Sequence, residues 1–295
     1  TRYIGDWSSD VCSSDLRYFA YLTWQQIEAL PDKAHVVIVQ PMGAIEQHGP
    51  HLPLAVDAAI ATAVLGKALT QLPEALPAYA LPPLYYGKSN EHWHFPGTIT
   101  LSAETLRQIL LESAASLYRA GFRKLIWLNA HGGQPQVLDM AARDLHQTHP
   151  DLMVFPHFVW NVPNPAAELL TPKELELGIH AGDAETSLML SILPDQVQPD
   201  QAVCEYPHGL PTDGLLSMEG ALPFAWVTRD LTRSGVLGDA TVATVAKGDR
   251  LLAALADGWV RVIEAVHRFQ QPAAWRDEPH PDESLKTRPP EPPPP

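Results

Sequence analysis

Cysteine is almost missing from this 295-residue chain, which carries only Cys12 and Cys204. Two thiols cannot build a disulfide framework, and without a Cys-x-x-Cys pair they offer no thiolate metal site; a cytoplasmic, reducing compartment is what this fits. Cys204, set in AVCEYP without a patterned partner, reads as a buried or incidental thiol rather than a nucleophile. Basic charge is scarce too: 20 Lys and Arg stand against 34 Asp and Glu, a formal net charge of -14. With no basic patch to offset it, that balance repels phosphate backbones and anionic lipid, so nucleic acid and membrane are not expected partners. No apolar run approaches the ~18 residues of a spanning helix. Also missing are a Gly-x-Ser-x-Gly elbow, a Gly-x-x-x-x-Gly-Lys-Ser/Thr loop, a Gly-x-Gly-x-x-Gly turn and a His-Glu-x-x-His helix. Their absence removes the serine-hydrolase, phosphate-loop, dinucleotide and single-helix zinc-peptidase readings.

What remains is a chain with 45% apolar and 18% charged residues, enough to bury one substantial core in one domain, placed at residues 17–270. Residues 1–16, TRYIGDWSSDVCSSDL, do not share the pattern that follows, resemble a translated sequencing adapter and are expected to be a non-native leader. From residue 271 the composition turns to Pro, Asp, Glu and Lys and closes on RPPEPPPP, which predicts an extended tail over 271–295.

Between these ends strand and helix patterns alternate. Thr23 and Gln26 form a capping-box signature. Residues 35–40 (HVVIVQ) and 124–129 (KLIWLN) are apolar runs of the kind found in a sheet covered on both faces. Asp57 is placed to cap a helix carrying Ile60, Val64, Leu65 and Leu69, and Ser102 to cap another carrying Leu106, Ile109, Leu110 and Leu117. Helical patterns over 134–147, 185–193 and 241–269 and a strand pattern over 152–158 complete the chain. The alternation predicts an α/β fold, a mainly parallel sheet with helices on both faces.

Chemistry-bearing residues gather in four clusters. In the first, Glu46 and His48 follow the first strong strand; two residues apart in extended backbone they share a face and can converge on one ion. Asp57 follows, where its carboxylate can bridge two ions; an ordinary polar loop with a helix cap is the competing reading. The second, Asn129-Ala-His131-Gly132-Gly133-Gln134, leaves the second strong strand in the same way. Strand C-terminal ends in an open parallel sheet face one crevice, and the glycine pair lets backbone approach a substrate. The third, His180-Ala-Gly-Asp183-Ala-Glu185, offers Glu185 as a ligand and His180 as a proton carrier, with Asp183 either a rival ligand or, better, a helix cap. In the fourth, 86–98, Ser89 and His92 read as substrate wall.

These clusters, in this order, resemble the creatininase family. The matching pieces are PMGAIEQHGPHLPLAVD, YGKSNEHWHFPGTITLS, NAHGGQ, HAGDAETS and SGVLGDATVATVAKG. The resemblance implies a three-layer α/β/α domain, two divalent ions per subunit (zinc, manganese or iron), a small-molecule substrate, and a homohexamer of cytoplasmic subunits. It places Glu46, His48, Asp57 and His131 on the ligand positions, with Asp57 bridging and Glu185 fifth. Creatininase itself has an acidic ligand directly after a His-Tyr pair, where this chain has Gly133. The implied reaction is hydrolysis of a C–N bond in a small amide or cyclic amide by a metal-activated hydroxide, with His180 protonating the departing nitrogen. Relatives that cleave a formamide, a peptide bond or an inosose-type ring are the alternatives, and a non-catalytic metal-binding scaffold is the alternative from another class. The creatinine hydrolase carries a Trp-Asp pair shortly before its His-Ala-Gly; Glu176 and Leu177 stand there in this chain, leaving Gly132 and Trp160 to shape the substrate pocket.

Overall fold

The computed structural model describes residues 17–210 and 215–271. The leader expected at 1–16 and all but the first residue of the tail expected at 271–295 lie outside the described residues. Four strands, β1 (Val37–Met42), β2 (Ala78–Ala80), β3 (Lys124–Asn129) and β4 (Met153–Phe158), form one parallel sheet in the order β2-β1-β3-β4. A two-stranded antiparallel ribbon joins β5 (Cys204–Glu205) to β6 (Gly238–Asp239). The helices are α1 (Trp24–Ala29), α2 (Val56–Gln71), α3 (Ala103–Arg119), α4 (Pro135–Thr148), α5 (Ala166–Leu169), α6 (Pro172–Leu177), α7 (Asp183–Ile192), α8 (Thr228–Leu231) and α9 (Val245–Arg268). Among the described residues no helix is long and apolar enough to cross a membrane.

Strand pleating sorts the core into two layers. Val37, Val39, Ile126 and Leu128 point to one face, where they pack with Ile60, Val64 and Leu65 of α2, Leu188 and Met189 of α7, and Leu251, Leu255 and Trp259 of α9. Ile38, Leu125 and Trp127 point to the other, against Leu106 and Leu110 of α3 and Leu138 and Ala141 of α4. Successive strand residues facing opposite helical layers is what makes both strong runs continuously apolar. The indole of Trp259 is fully buried and donates to the Val159 carbonyl at 3.0 Å, so its truncation to Ala is a loss of about 3–5 kcal/mol.

The capping box at Thr23 is formed, and Ser102 caps α3. Two expected caps are not. The N-cap of α2 is Ala55, with Asp57 inside the first turn, and the N-cap of α7 is Gly182. Cys204 is exposed on β5, which leaves the incidental rather than the buried thiol of the two expected readings. The loop after β1 lies against the start of α2 so tightly that a Cβ on Gly43 would come within 2.4 Å of the Ala58 nitrogen. That contact is what brings Asp57 under the loop carrying Glu46 and His48.

The sheet order reverses between β1 and β3, since the chain runs outward from β1 to β2 and returns to β3 on the other side. Ligand crevices in open α/β sheets form at such a switch point, beyond the strand C-termini. Met42 and Asn129, the last residues of these two strands, are paired in register.

Candidate metal centre

Five side chains converge at that switch point. Glu46, His48, Asp57 and His131 are buried and Glu185 nearly so. Asp57 lies between the two imidazoles: Oδ1 is 3.3 Å from His48 Nε2 and Oδ2 is 3.3 Å from His131 Nδ1. Glu46 reaches both sides, with Oε2 3.1 Å from His131 Nδ1 and Oε1 3.8 Å from His48 Nε2. Glu185 Oε2 is 3.9 Å from His48 Nε2. The donor atoms of His48, Asp57 and Glu185 lie close enough together to hold one ion, as do those of Glu46, Glu91 and His131, and those of Glu46, His48 and His180.

Hydrogen bonds on the far edges of the rings fix how the near edges face the carboxylates. His48 Nδ1 donates to the Glu46 carbonyl at 3.1 Å, and His131 Nε2 donates to the Lys88 carbonyl at 2.9 Å. A neutral imidazole has one N–H, so His48 Nε2 and His131 Nδ1 present lone pairs to the two Asp57 oxygens. Among the described residues, His48 Nε2 and Asp57 Oδ2 are buried with no hydrogen-bond partner. Buried lone pairs aimed at carboxylate oxygens are costly unless a cation stands between them.

The titration behaviour carries the same message. Burial pulls the His48 imidazole down, but Asp57, Glu185 and Glu46 reverse this and raise it to about 9. Burial is likewise outweighed at His131 by Glu46, Asp57 and Glu91, which leave it well above its ordinary value. Asp57 is held below the usual carboxylate range despite its burial, by His48 and His131. Glu185 is pushed up to about 7, first by burial and then by Asp57 and Glu46. The pocket therefore draws positive charge, which protons supply when metal does not.

His180 stands beside this cluster, its Nδ1 3.8 Å from Glu46 Oε1. Its Nε2 donates to the Gln47 carbonyl at 2.7 Å. Burial, then His48 and His92, hold it well below the ordinary imidazole value, so it rests neutral. The Gln47 side chain organises this corner. Its Oε1 accepts from the Gly49 N–H at 2.9 Å, and its Nε2 donates to His92 Nδ1 at 2.8 Å and to the Gly235 carbonyl at 3.0 Å. Ala181 adopts φ 54 and points its N–H at Glu185 Oε2, 2.6 Å away. A left-handed alanine costs on the order of 1–2 kcal/mol, and here it orients a site carboxylate.

The remaining expected residues divide. Ser89 is buried and donates to Glu46 Oε2, and His92 Nε2 lies 3.5 Å from Glu46 Oε1; both belong to the centre. Gly132 borders open space, where a Cβ would meet only Glu219 at 3.9 Å. Trp160 is half-buried and packs against the core formed by α2, α7 and α9. Asp183 neither caps nor joins the cluster; its carboxylate accepts from Ser187 Oγ at 3.0 Å and from Lys247 Nζ. Two contributors escaped the sequence reading: Gln47, and Glu91, whose Oε1 is 3.2 Å from His131 Nε2. The available signal was position: each adjoins a histidine of a quoted motif.

The sequence model of the family described as creatininase, creatinine amidohydrolase, matches residues 20–263. The chain belongs to the creatininase family. It is similar to a mycofactocin precursor peptide peptidase of Mycolicibacterium smegmatis, 35% identical over 75% of this chain and 82% of the relative. It is also similar to a creatinine amidohydrolase of Pseudomonas putida, 32% identical over 80% of this chain and 92% of the relative. Among solved structures, a manganese creatininase superposes with TM-score 0.70 at 28% identity, covering 86% of this chain and 99% of that one. A mutant creatininase of Zn–Zn type gives 0.69 at 29% identity, with 85% and 98% covered. This creatininase-family chain is thus a hydrolase with an α/β fold, and its candidate metal-binding residues sit where the two strong strands end.

Proposed function

We propose that the chain is a dinuclear metal-dependent amidohydrolase that cleaves a C–N bond in a small amide or cyclic amide. The observation that carries this is the position of Asp57, with one oxygen toward a lone pair of His48 and the other toward a lone pair of His131. His48, Asp57 Oδ1 and Glu185 would hold one divalent ion, and Glu46, His131 and Asp57 Oδ2 the other. Two such ions supply Lewis acidity toward a carbonyl and lower the pKa of water. The side chains of the corner manage the proton. With Nε2–H committed to the Gln47 carbonyl, His180 Nδ1 is the atom that takes a proton and hands it to the departing nitrogen. Ser89 and His92 steady Glu46 through its two oxygens.

A second reading, hydrolysis of a peptide bond, is supported by the open space at Gly132 and by Glu176, an exposed residue where creatininase has an aromatic side chain. Both readings go with a homohexamer of cytoplasmic subunits, supported by the family resemblance, which sedimentation tests. The deciding experiment for the reaction is a panel of cyclic ureides, formamides and short peptides, assayed after metal is quantified. Turnover of an amide that disappears with chelation and returns with zinc or manganese supports the proposal; no hydrolysis across the panel at full metal content overturns it.

A further inference from the structure

Glu91 is the site carboxylate without a role in the scheme above. It lies on a short 3-10 turn, Asn90–His92, with Ser89 before it and His92 after it both in contact with Glu46. Its backbone is tied down by Thr228 Oγ1, which donates to the Glu91 carbonyl at 3.0 Å. The side chain crosses to the other strand-end loop and fills the space above Gly133: a Cβ built there would fall 1.6 Å from Glu91 Oε1 and 2.6 Å from His131 Nε2. Only glycine at 133 leaves room for that carboxylate. Lys88 Nζ closes the arrangement, 3.4 Å from Glu91 Oε2 and 3.3 Å from the Gly133 carbonyl.

We propose that Glu91 is a positioning residue for the metal ligand His131, sharing the Nε2 proton with the Lys88 carbonyl so that Nδ1 keeps its lone pair on Glu46 and Asp57. The geometry is directional. His131 meets Lys88 O at 2.9 Å and Glu91 Oε1 at 3.2 Å through one nitrogen, and Glu46 Oε2 and Asp57 Oδ2 at 3.1 and 3.3 Å through the other. A carboxylate behind a metal-bound imidazole fixes the ring's tautomer and raises its basicity, and loss of such a partner weakens metal binding about 10- to 100-fold. Gly133 becomes part of the same device, since a side chain there evicts Glu91.

The inference rests on the dinuclear reading, and the test separates the two. Zinc affinity is measured by chelator competition on the full chain and on Glu91→Gln and Gly133→Ala, with the imidazole N–H resonance of His131 followed in the zinc-loaded proteins. Glu91→Gln keeps the shape and removes the charge; Gly133→Ala keeps the charge and displaces it. Both should weaken one of two zinc sites about 10- to 100-fold and shift the His131 N–H resonance upfield, a readout that a merely structural role would not move. If wild-type protein takes up no second ion, the dinuclear reading fails and this inference falls with it. If wild-type binds two ions and Glu91→Gln matches it in both affinities and in the resonance, Glu91 has no such role and the dinuclear reading stands.

Discussion

His48 Nε2 and Asp57 Oδ1 face each other across 3.3 Å in a buried pocket, two acceptors when the imidazole is neutral. Asp57 repeats the arrangement with its second oxygen on the far side, at His131. One carboxylate thus faces both imidazoles. Elemental analysis of protein purified without chelator should approach two divalent ions per subunit. Asp57→Asn should weaken both ions together and His48→Ala mainly one. A content stuck at one or below after reconstitution would rule out the bridge.

The metal-free protein should lose stability as it is made more alkaline. His48 titrates at about 9 in the folded chain, against ~6.5 when unfolded, so between these values the folded state binds more protons. Its contribution is complete below the unfolded value and disappears as pH rises through about 9. Each such group gives a slope of about 1.4 kcal/mol per pH unit. Ions replace those protons, so zinc-loaded protein should show a much flatter profile while zinc affinity climbs with pH. Thermal melts of both forms from pH 6 to 10 check this; parallel profiles would contradict it.

Creatinine should be a poor substrate. A flat heterocycle gains ~0.5–1.5 kcal/mol from an aromatic wall beyond area burial. Glu176 is an exposed acid, and Trp160 is half-buried, packed against the α2, α7 and α9 core. Steady-state kinetics at full metal content decide the matter, and turnover matching that of a dedicated creatininase would show that another side chain supplies the wall.

Glu174 should prove necessary for holding His180 in place. This buried carboxylate on α6 accepts the Asp183 N–H at 2.7 Å, the Asp239 N–H at 2.9 Å and the Tyr206 hydroxyl at 2.9 Å. It thereby ties the 178–183 loop to the β5–β6 ribbon. Glu174→Ala leaves buried donors unpaired and should cost about 1–3 kcal/mol, with kcat falling more than KM. Denaturant melts and kinetics on the same preparation would expose an unchanged kcat.

Much of this architecture could be read from residue order. The runs at 35–40 and 124–129 announced β1 and β3 because strands covered on both faces have no polar side to interrupt them. β2 escaped notice because three residues, Ala78–Ala80, leave no pattern to count. The cap expected of Asp57, beside its bridging role, and the cap expected of Asp183 both rest on their place at helix starts, and local spacing weighs only local partners. Their actual partners are distant in sequence: His131 for one, and Lys247, 64 residues onward, for the other. Gln47 was invisible for the same reason, since its amide joins positions 92 and 235. Motif adjacency pointed to the residues of the candidate metal centre; it could not tell which neighbours orient them.

The register of Met42 with Asn129 separates two quantities that evolution can then vary independently. The loops bearing Glu46, His48 and His131 spring from adjacent strands a fixed ~4.8 Å apart, so the spacing of these candidate ligands is inherited from backbone hydrogen bonding. Other segments expected to meet the substrate, those around Gly132 and Glu176, lie outside the two strands that set this spacing. Insertions or substitutions there can exchange a ring for an open chain without altering the distance between the ligand-bearing loops. A family whose members take the names of a peptidase and of a creatinine hydrolase is what such a division of labour would generate: one rigid ruler, many interchangeable mouths.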